Sequence, residues 1–166
     1  NKPKQYVGMK FFNVYGPNEY FKGDMASVIY HSYCSVKRDG KIRLFKSHSE
    51  NCSDGEQKRD FLYVKDLCSV VRFFINRPDL SGLFNLGTGK AETFNQLAGS
   101  VFNALRLPPV IEYIEMPESI RAKYQYFTEA DINKLRSVGF EGSFHDLEKG
   151  TENYINDFLE KELLIY

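Results

Sequence analysis

Segments with the character of β-strands alternate with segments of helical periodicity along most of the chain. The expected strands are short runs of β-branched and aromatic residues, at residues 6–14, 42–45, 59–64, 83–86 and 110–115. Apolar residues recur at helical spacing in the segments at 25–37, 67–75, 94–105, 129–136 and 144–161. This alternation predicts an α/β layer structure, and no composition break within residues 1–166 marks a second domain.

Helix boundaries are indicated by residues that favour caps. The expected N-caps are Asp24, Asp66, Thr93, Thr128 and Ser143. Thr93 and Gln96 have the spacing of a capping box. Gly40, Pro78 and Gly139 are the expected stops. The polar run at 46–58 has no periodicity and predicts an exposed loop.

The charge balance argues against nucleic-acid and membrane partners. The 166 residues carry 22 basic and 22 acidic side chains, so the overall field attracts neither polyanion. No apolar run approaches the roughly 18 residues that a membrane span needs. Cys34, Cys52 and Cys68 are odd in number and widely spaced, which disfavours a disulfide framework or a metal site. Without a signal peptide, this pattern favours the reducing cytoplasm.

Motifs for dinucleotide chemistry are incomplete. No G-x-G-x-x-G follows a strand, and residues 87–89 (GTG) are too short for that role and predict a tight strand-to-helix turn. A Tyr-x-x-x-Lys pair on a helix can lower a tyrosine pKa. The pairs at 6/10 and 33/37 are interpreted as coincidences, because the first lies on a strand and the second lacks an upstream serine.

Three clusters contain candidate ligand-binding residues. Asn13 lies where a strand ends, and ligands bind open α/β sheets at such ends, although a turn asparagine often bonds its own backbone. Arg59 suits bidentate capture of a pyrophosphate, with a surface salt bridge as the alternative. Lys22 precedes an expected helix N-terminus, which attracts anions, but a lysine in such a place is more often simply solvated.

The motifs FNVYGP, RDFLYV-x-D and FNLGTG occur in the order found in the C-terminal half of extended short-chain dehydrogenases. The chain therefore resembles this family of nucleotide-sugar epimerases and dehydratases. The resemblance implies an α/β fold of Rossmann type, comprising the last sheet strands and a small α/β substrate-binding domain. It also implies that a glycine-rich cofactor-binding half belongs before residue 1, in keeping with a start that lacks an initiator methionine.

Within that family, the stretch KGDMAS and the segment YQYFTEAD are similar to members that epimerise ADP-heptose at carbon 6. That resemblance implies conversion of ADP-D-glycero-D-manno-heptose to the L-glycero form for lipopolysaccharide assembly. It implies NADP, with NAD as the alternative, a homo-oligomeric enzyme, and an ADP-sugar substrate. The residues at 1–166 by themselves are expected to be inactive.

The same resemblance implies roles for individual residues. Lys22 corresponds to a catalytic base that also touches the cofactor, and Val14 to a residue whose backbone touches it. The positions that correspond to substrate contacts are Asn13, Asp24, His31, Phe45, Lys46, Ser47, Arg59 and Tyr124. Asp24 departs from the small hydroxyl residue of the family, and we expect it to turn away and cap its helix. The loop at 46–58 is longer than the family's.

Two alternatives stay open on the sequence. One is a sibling enzyme, such as another nucleotide-sugar epimerase or a 4,6-dehydratase, which would not need a lysine at position 22. The other is a non-catalytic domain that binds a nucleotide-sugar, which the missing glycine-rich turn would favour.

Overall fold

The structure is a computed structural model that describes residues 3–161. The strands are β1 (Val7–Phe11), β2 (Asn13–Tyr15), β3 (Ile42–Phe45), β4 (Lys58–Arg59), β5 (Phe61–Tyr63), β6 (Gly82–Leu86), β7 (Glu92–Thr93), β8 (Ile111–Ile114) and β9 (Phe127–Thr128). The helices are α1 (Val28–Asp39), α2 (Val64–Ile75), α3 (Phe94–Leu105), α4 (Glu118–Arg121), α5 (Asn133–Ser137) and α6 (Leu147–Tyr154), with a π-helical continuation, Ile155–Leu159. The predicted alternation of strands and helices is confirmed.

Most strand pairs are parallel and join segments distant in the chain. β1 pairs with β6, β2 with β5 and β3 with β8, all in parallel. β4 lies between β7, to which it is antiparallel, and β9, to which it is parallel. Parallel pairs need crossover connections, and the helices between the strands provide them.

The first predicted strand, at residues 6–14, is in fact two strands with different partners. The N–H of Phe12 donates to the carbonyl of Leu86 on β6, whereas the N–H of Asn13 donates to that of Asp60, next to β5. The predicted strand at 59–64 breaks in the same way at Asp60. Both breaks arise where the chain passes from one partner strand to another. Strand propensity depends on residue type and does not predict where this change of partner occurs.

The core has two parts on either side of β5. Phe61 and Tyr63 belong to a cluster with α1, α3 and α6, while Leu62 belongs to a cluster with α2, α5 and β6. Alternate strand residues point to opposite faces, so this strand is buried on both sides.

Helix starts differ from the prediction at several caps. Ser27, and not Asp24, caps α1, since its side chain accepts from the N–H of Tyr30. Asp146, and not Ser143, caps α6. The capping box of Thr93 and Gln96 and the helix at 94–105 are confirmed.

Two other predicted caps are also wrong. Thr128 is a strand residue of β9, and the helix that follows begins only at Asn133. Asp66 lies buried in the first turn of α2, whose N-cap is Tyr63. Ser, Thr and Asp are common in loops and strands as well as at caps, so the residue type alone did not choose the position.

The loop at 46–58 is less exposed than predicted. Gln57 and Gly55 are buried, and the side chain of Asn95 on α3 donates to the carbonyl of Asp54, 3.0 Å away. The loop is therefore packed against α3. Across residues 3–161, the helices are all too short or too polar to cross a bilayer.

Candidate functional site

A pocket of about 230 Å³ lies between the start of α1, the end of β3, β4 and the start of α3. Its lining residues are Val28, Arg43, Leu44, Phe45, Gln57, Arg59, Phe94 and Tyr124. Three of the residues predicted to contact a substrate, Phe45, Arg59 and Tyr124, thus meet in one concave site.

Arg59 has an unusual environment for a cation. Its guanidinium lies between two rings, 5.3 Å from the centre of Tyr124 and 5.8 Å from that of Phe94. It donates to the carbonyl of Lys58, 2.8 Å away, and no carboxylate pairs with it among residues 3–161. The predicted alternative of a surface salt bridge is therefore not found. Burial lowers the pKa of Arg59, which shows the cost of holding this charge without a counter-ion.

The rest of the pocket is aromatic and neutral. Burial raises the pKa of Tyr124, whose hydroxyl is therefore held protonated. Gln57 is buried and donates weakly to the carbonyl of Phe45 at 3.4 Å. Arg43 also lines the pocket, but Asp39 and Glu112 neutralise it at 2.8 and 3.2 Å. Arg59 is thus the guanidinium available to an anion, beside flat apolar surfaces that suit a planar ring.

Lys46 and Ser47 follow Phe45 at the end of β3 but do not line the pocket. The Nζ of Lys46 pairs with Glu115 at 2.9 Å, which lowers the pKa of that carboxyl. The N–H of Ser47 donates to Asp54 at 2.7 Å. Lys46 thus joins the end of β3 to the residue after β8, and Ser47 joins it to the loop at 46–58.

Asn13 and Val14 lie on β2, outside the pocket lining. The side-chain amide of Asn13 donates to the carbonyl of Asp60 at 3.2 Å, in addition to the backbone bond to the same oxygen. Asn13 therefore bonds a neighbouring strand, and not its own turn. Its side-chain oxygen is the group left for a ligand.

Lys22, Asp24 and His31 are exposed. Lys22 and Asp24 lie at a single 3-10 turn, Gly23–Met25, and His31 lies in α1. None of the three side chains forms a hydrogen bond or ion pair within the described range, and none lines the pocket. The structure thus brings together the Arg59 part of the predicted site and leaves the Lys22 part separate from it.

Asp60, the second residue of the RDFLYV motif, is a structural centre for which the motif itself indicates no role. Its carboxylate is fully buried and accepts from the N–H and hydroxyl of Thr88, both at 2.7 Å, and from the N–H of Gly89 at 2.9 Å. It also accepts from the N–H of Ala130 at 3.1 Å. One side chain therefore joins β4, the turn after β6 and the segment after β9.

The hydrogen bonds to Asp60 limit which groups of the GTG turn at residues 87–89 can bind a ligand. Its N–H groups already donate to Asp60, and a Cβ at Gly87 would lie 2.5 Å from the Asp60 carboxylate. The turn leads into β7 before α3, so it is a strand-to-strand turn and not the predicted strand-to-helix turn. The N–H groups of Thr88 and Gly89 are consequently not free to bind the phosphates of a dinucleotide.

Phe94 and Val28 were missed as pocket residues. Each is the first residue of a helix, and helical periodicity gives no sign that a first-turn side chain faces Arg59 across the fold.

The Tyr-x-x-x-Lys pair at 33/37 takes part in packing at the end of the chain that the structure describes. Tyr33 and Lys37 both contact Glu160, at 2.8 and 3.1 Å. No cluster of metal-ligating side chains occurs in the part of the chain that the structure describes.

Comparison with known proteins agrees with this architecture. Residues 3–87, just over half of the chain, match the model of the NAD dependent epimerase/dehydratase family. The chain is 48% identical to an ADP-L-glycero-D-manno-heptose-6-epimerase of Fusobacterium nucleatum, covering 98% of this chain and 51% of that protein. It is 51% identical to the protein of the same name from Nitratidesulfovibrio vulgaris, covering 92% of this chain and 47% of that protein.

A crystal structure of the Helicobacter pylori ADP-L-glycero-D-manno-heptose-6-epimerase superposes with a TM-score of 0.75 at 26% identity, over 92% of this chain and 44% of that one. The predicted Rossmann-type fold of extended short-chain dehydrogenases is thereby confirmed. The chain spans about half the length of the curated relatives it matches. By sequence and by fold, the chain belongs to the NAD dependent epimerase/dehydratase family.

Proposed function

We propose that this chain binds the nucleotide-sugar of an enzyme that epimerises ADP-D-glycero-D-manno-heptose at carbon 6, giving the L-glycero form for lipopolysaccharide assembly. The observation that carries the proposal is the half-buried Arg59, without a carboxylate partner among the described residues and flanked by Phe94 and Tyr124. A diphosphate supplies the missing negative charge, and a base or sugar ring packs on the aromatic walls.

The intact enzyme would contain a glycine-rich half in addition to these residues, as the length of the relatives suggests. A nicotinamide dinucleotide, NADP in our proposal, would there accept a hydride from carbon 6 and return it to the opposite face. Inversion needs proton transfer at the carbon-6 oxygen on both faces. Lys22 would handle the proton on one face, and the backbone of Val14 would touch the cofactor. Asn13, Asp24 and His31 would contact the sugar.

The proposal also covers the setting of the enzyme. Family resemblance suggests a cytoplasmic homo-oligomer. For residues 1–166 by themselves we expect nucleotide-sugar binding without turnover, since they contain no G-x-G-x-x-G motif and the GTG turn is bonded to Asp60.

The test compares two variants of the full-length enzyme, Lys22→Met and Arg59→Ala. We expect Lys22→Met to lower kcat by about 10³-fold, to a residual but measurable rate, while its affinity for ADP-mannose, measured by calorimetry, stays near the wild-type value. Arg59→Ala should lose affinity. Full epimerase activity in Lys22→Met would favour a sibling epimerase or dehydratase, and equal affinity for UDP- and ADP-sugars would contradict the assignment of an ADP-sugar.

A further inference from the structure

The segment at residues 16–27 connects β2 to α1 and carries Lys22. Tyr20 packs against the core and Ala26 is buried, but Phe21 and Met25, on either side of Lys22, are 80% and 84% exposed. The conformation of the segment includes left-handed backbone at Asn18 and Gly23, with φ of 72° and 52°. Because the stretch around Lys22 is exposed and includes left-handed backbone, it adopts a single conformation only if hydrogen bonds hold it.

Glu19 supplies those bonds. Its side chain is 3% exposed, although a lone carboxylate is rarely buried. Oε1 accepts from the N–H of Gly16 at 3.2 Å and from the hydroxyl of Ser27 at 2.8 Å, and Oε2 accepts from the N–H of Ser27 at 2.6 Å. The carboxylate thus joins the first and last residues of the segment and closes it into a loop.

The same residue also holds Lys22 directly. The carbonyl of Glu19 accepts from the N–H of Lys22 at 3.0 Å, and the carbonyl of Lys22 accepts from the N–H of Met25 at 3.0 Å. Ser27, which bonds the Glu19 carboxylate, also caps α1 through its bond from the N–H of Tyr30 at 3.1 Å. A continuous set of hydrogen bonds therefore runs from the backbone of Lys22 through Glu19 to the start of α1.

We propose that Glu19 is a positioning residue that sets where the Lys22 ammonium lies by closing the loop at 16–27. The inference rests on the proposed role of Lys22 as a base. The Glu19 carboxylate is itself buried and bonds to the two ends of the loop. A displacement of about 1 Å in a catalytic group can cost about 10²-fold in rate, so the loop geometry bears on catalysis although the carboxylate is remote from the chemistry.

The test is a double-mutant cycle in the full-length enzyme with Glu19→Gln, Lys22→Met and both together. The glutamine side chain keeps the size of the glutamate but has one acceptor oxygen, and its amide would face the N–H of Ser27. We expect Glu19→Gln to lower kcat by about 10²-fold with KM changed less than about threefold. The double variant should be no slower than Lys22→Met. Losses that multiply would overturn the proposal, because Glu19 would then act other than through Lys22.

Hydrogen exchange of the amides at 20–26 separates this inference from the proposed function. We expect exchange at least about tenfold faster in Glu19→Gln, as a local opening replaces the closed loop. Unchanged exchange would overturn the inference whatever the kinetics. Full activity in Lys22→Met would refute the role of the lysine, and exchange would then still decide whether Glu19 closes the loop. Glu141→Gln, an exposed carboxylate far along the chain with no described ion pair, is the control and should match the wild type in both measurements.

Discussion

The guanidinium carbon of Arg59 lies 5.3 Å from the centre of the Tyr124 ring, and no carboxylate neutralises it within residues 3–161. Cation–π contact with Tyr124 and Phe94 compensates part of the cost of burial and leaves the guanidinium donors that are not bonded to the carbonyl of Lys58 free for an anion. This combination makes the pocket an anion site with flat walls. It also sets the first two predictions.

Replacing Arg59 should weaken diphosphate binding, less with lysine than with alanine. Arg59→Lys retains the charge but loses the planar fork, and Arg59→Ala loses both. We expect the Kd for ADP to rise about tenfold in the lysine variant and about 100-fold in the alanine variant, as charged hydrogen bonds are lost. Calorimetry with ADP measures this. Arg72→Lys, on the exposed side of α2 without a described ion pair, should leave the Kd unchanged, and an unaltered Kd in Arg59→Ala would contradict the site.

We expect the ring of Tyr124 to hold the Arg59 guanidinium in place and its hydroxyl to contact the ligand. Tyr124→Phe keeps the ring against Arg59, and we expect Tyr124→Ala to raise the Kd for an ADP-sugar about tenfold more than Tyr124→Phe does. The comparison is made by calorimetry on both variants. Tyr6→Ala serves as the control, because Tyr6 is 60% exposed and lies outside the pocket. Equal Kd values in the two Tyr124 variants would show that the ring contributes nothing.

Removing the charge of Asp60 should destabilise the fold. An asparagine has one acceptor oxygen, and its amide would face N–H groups that now donate to the carboxylate at 2.9 and 3.1 Å. We expect Asp60→Asn to lower the free energy of unfolding by about 3 kcal/mol, since a buried charge network is broken. Urea denaturation measures this loss. The surface variant Asp79→Asn should change it little, and a stable Asp60→Asn protein would refute the central role of the carboxylate.

Acid should weaken the ion pairs on α1 and β3. Hydrogen bonds from Arg38 and Arg43 lower the pKa of Asp39 to about 2, and a hydrogen bond from Lys41 lowers the pKa of Glu112. A carboxyl with a lowered folded pKa stabilises the protein above its unfolded pKa of about 4, and this contribution is lost as pH falls towards the folded value.

The midpoint of urea unfolding should therefore decline between about pH 4 and pH 2, and less steeply in 1 M NaCl because these groups are exposed. Asp39→Asn should show a shallower decline than the wild type. Glu141→Gln should not. An identical pH dependence in Asp39→Asn and the wild type would show that the pairs of Asp39 do not contribute.

Local signals predicted part of the fold well. The capping box of Thr93 and Gln96 closes within four residues of chain, and the helix after it begins and ends where the periodicity indicated. The strand at 42–45 was likewise confirmed. Such elements depend on neighbours in sequence, so their residues contain most of the information needed.

Other features depended on residues far away in the chain. Asp24 was predicted to cap α1, but Ser27 caps it, and Glu19 holds Ser27 by accepting from its N–H and hydroxyl. The strand at 6–14 divided because Leu86 and Asp60 offer their carbonyls from different strands. No local propensity distinguishes these outcomes.

The candidate site shows the same division. Arg59, Phe45 and Tyr124 were expected from motif resemblance, and they line one pocket. The resemblance did not indicate that Phe94 would provide the second ring beside Arg59, because that contact joins residues 35 positions apart in the chain through the packing of α3 on β4.

By itself, the sequence determined the α/β alternation, the capped helix at 94–105 and Arg59 as a candidate anion ligand, since these follow from periodicity and side-chain chemistry. Only the tertiary structure decided that Asp60 takes up the N–H groups of the GTG turn and that Arg59 lies between two rings without a described carboxylate partner. The physical reason is that hydrogen-bond satisfaction and charge burial are properties of groups brought together by folding, and their energies depend on distances that no spacing in the chain encodes.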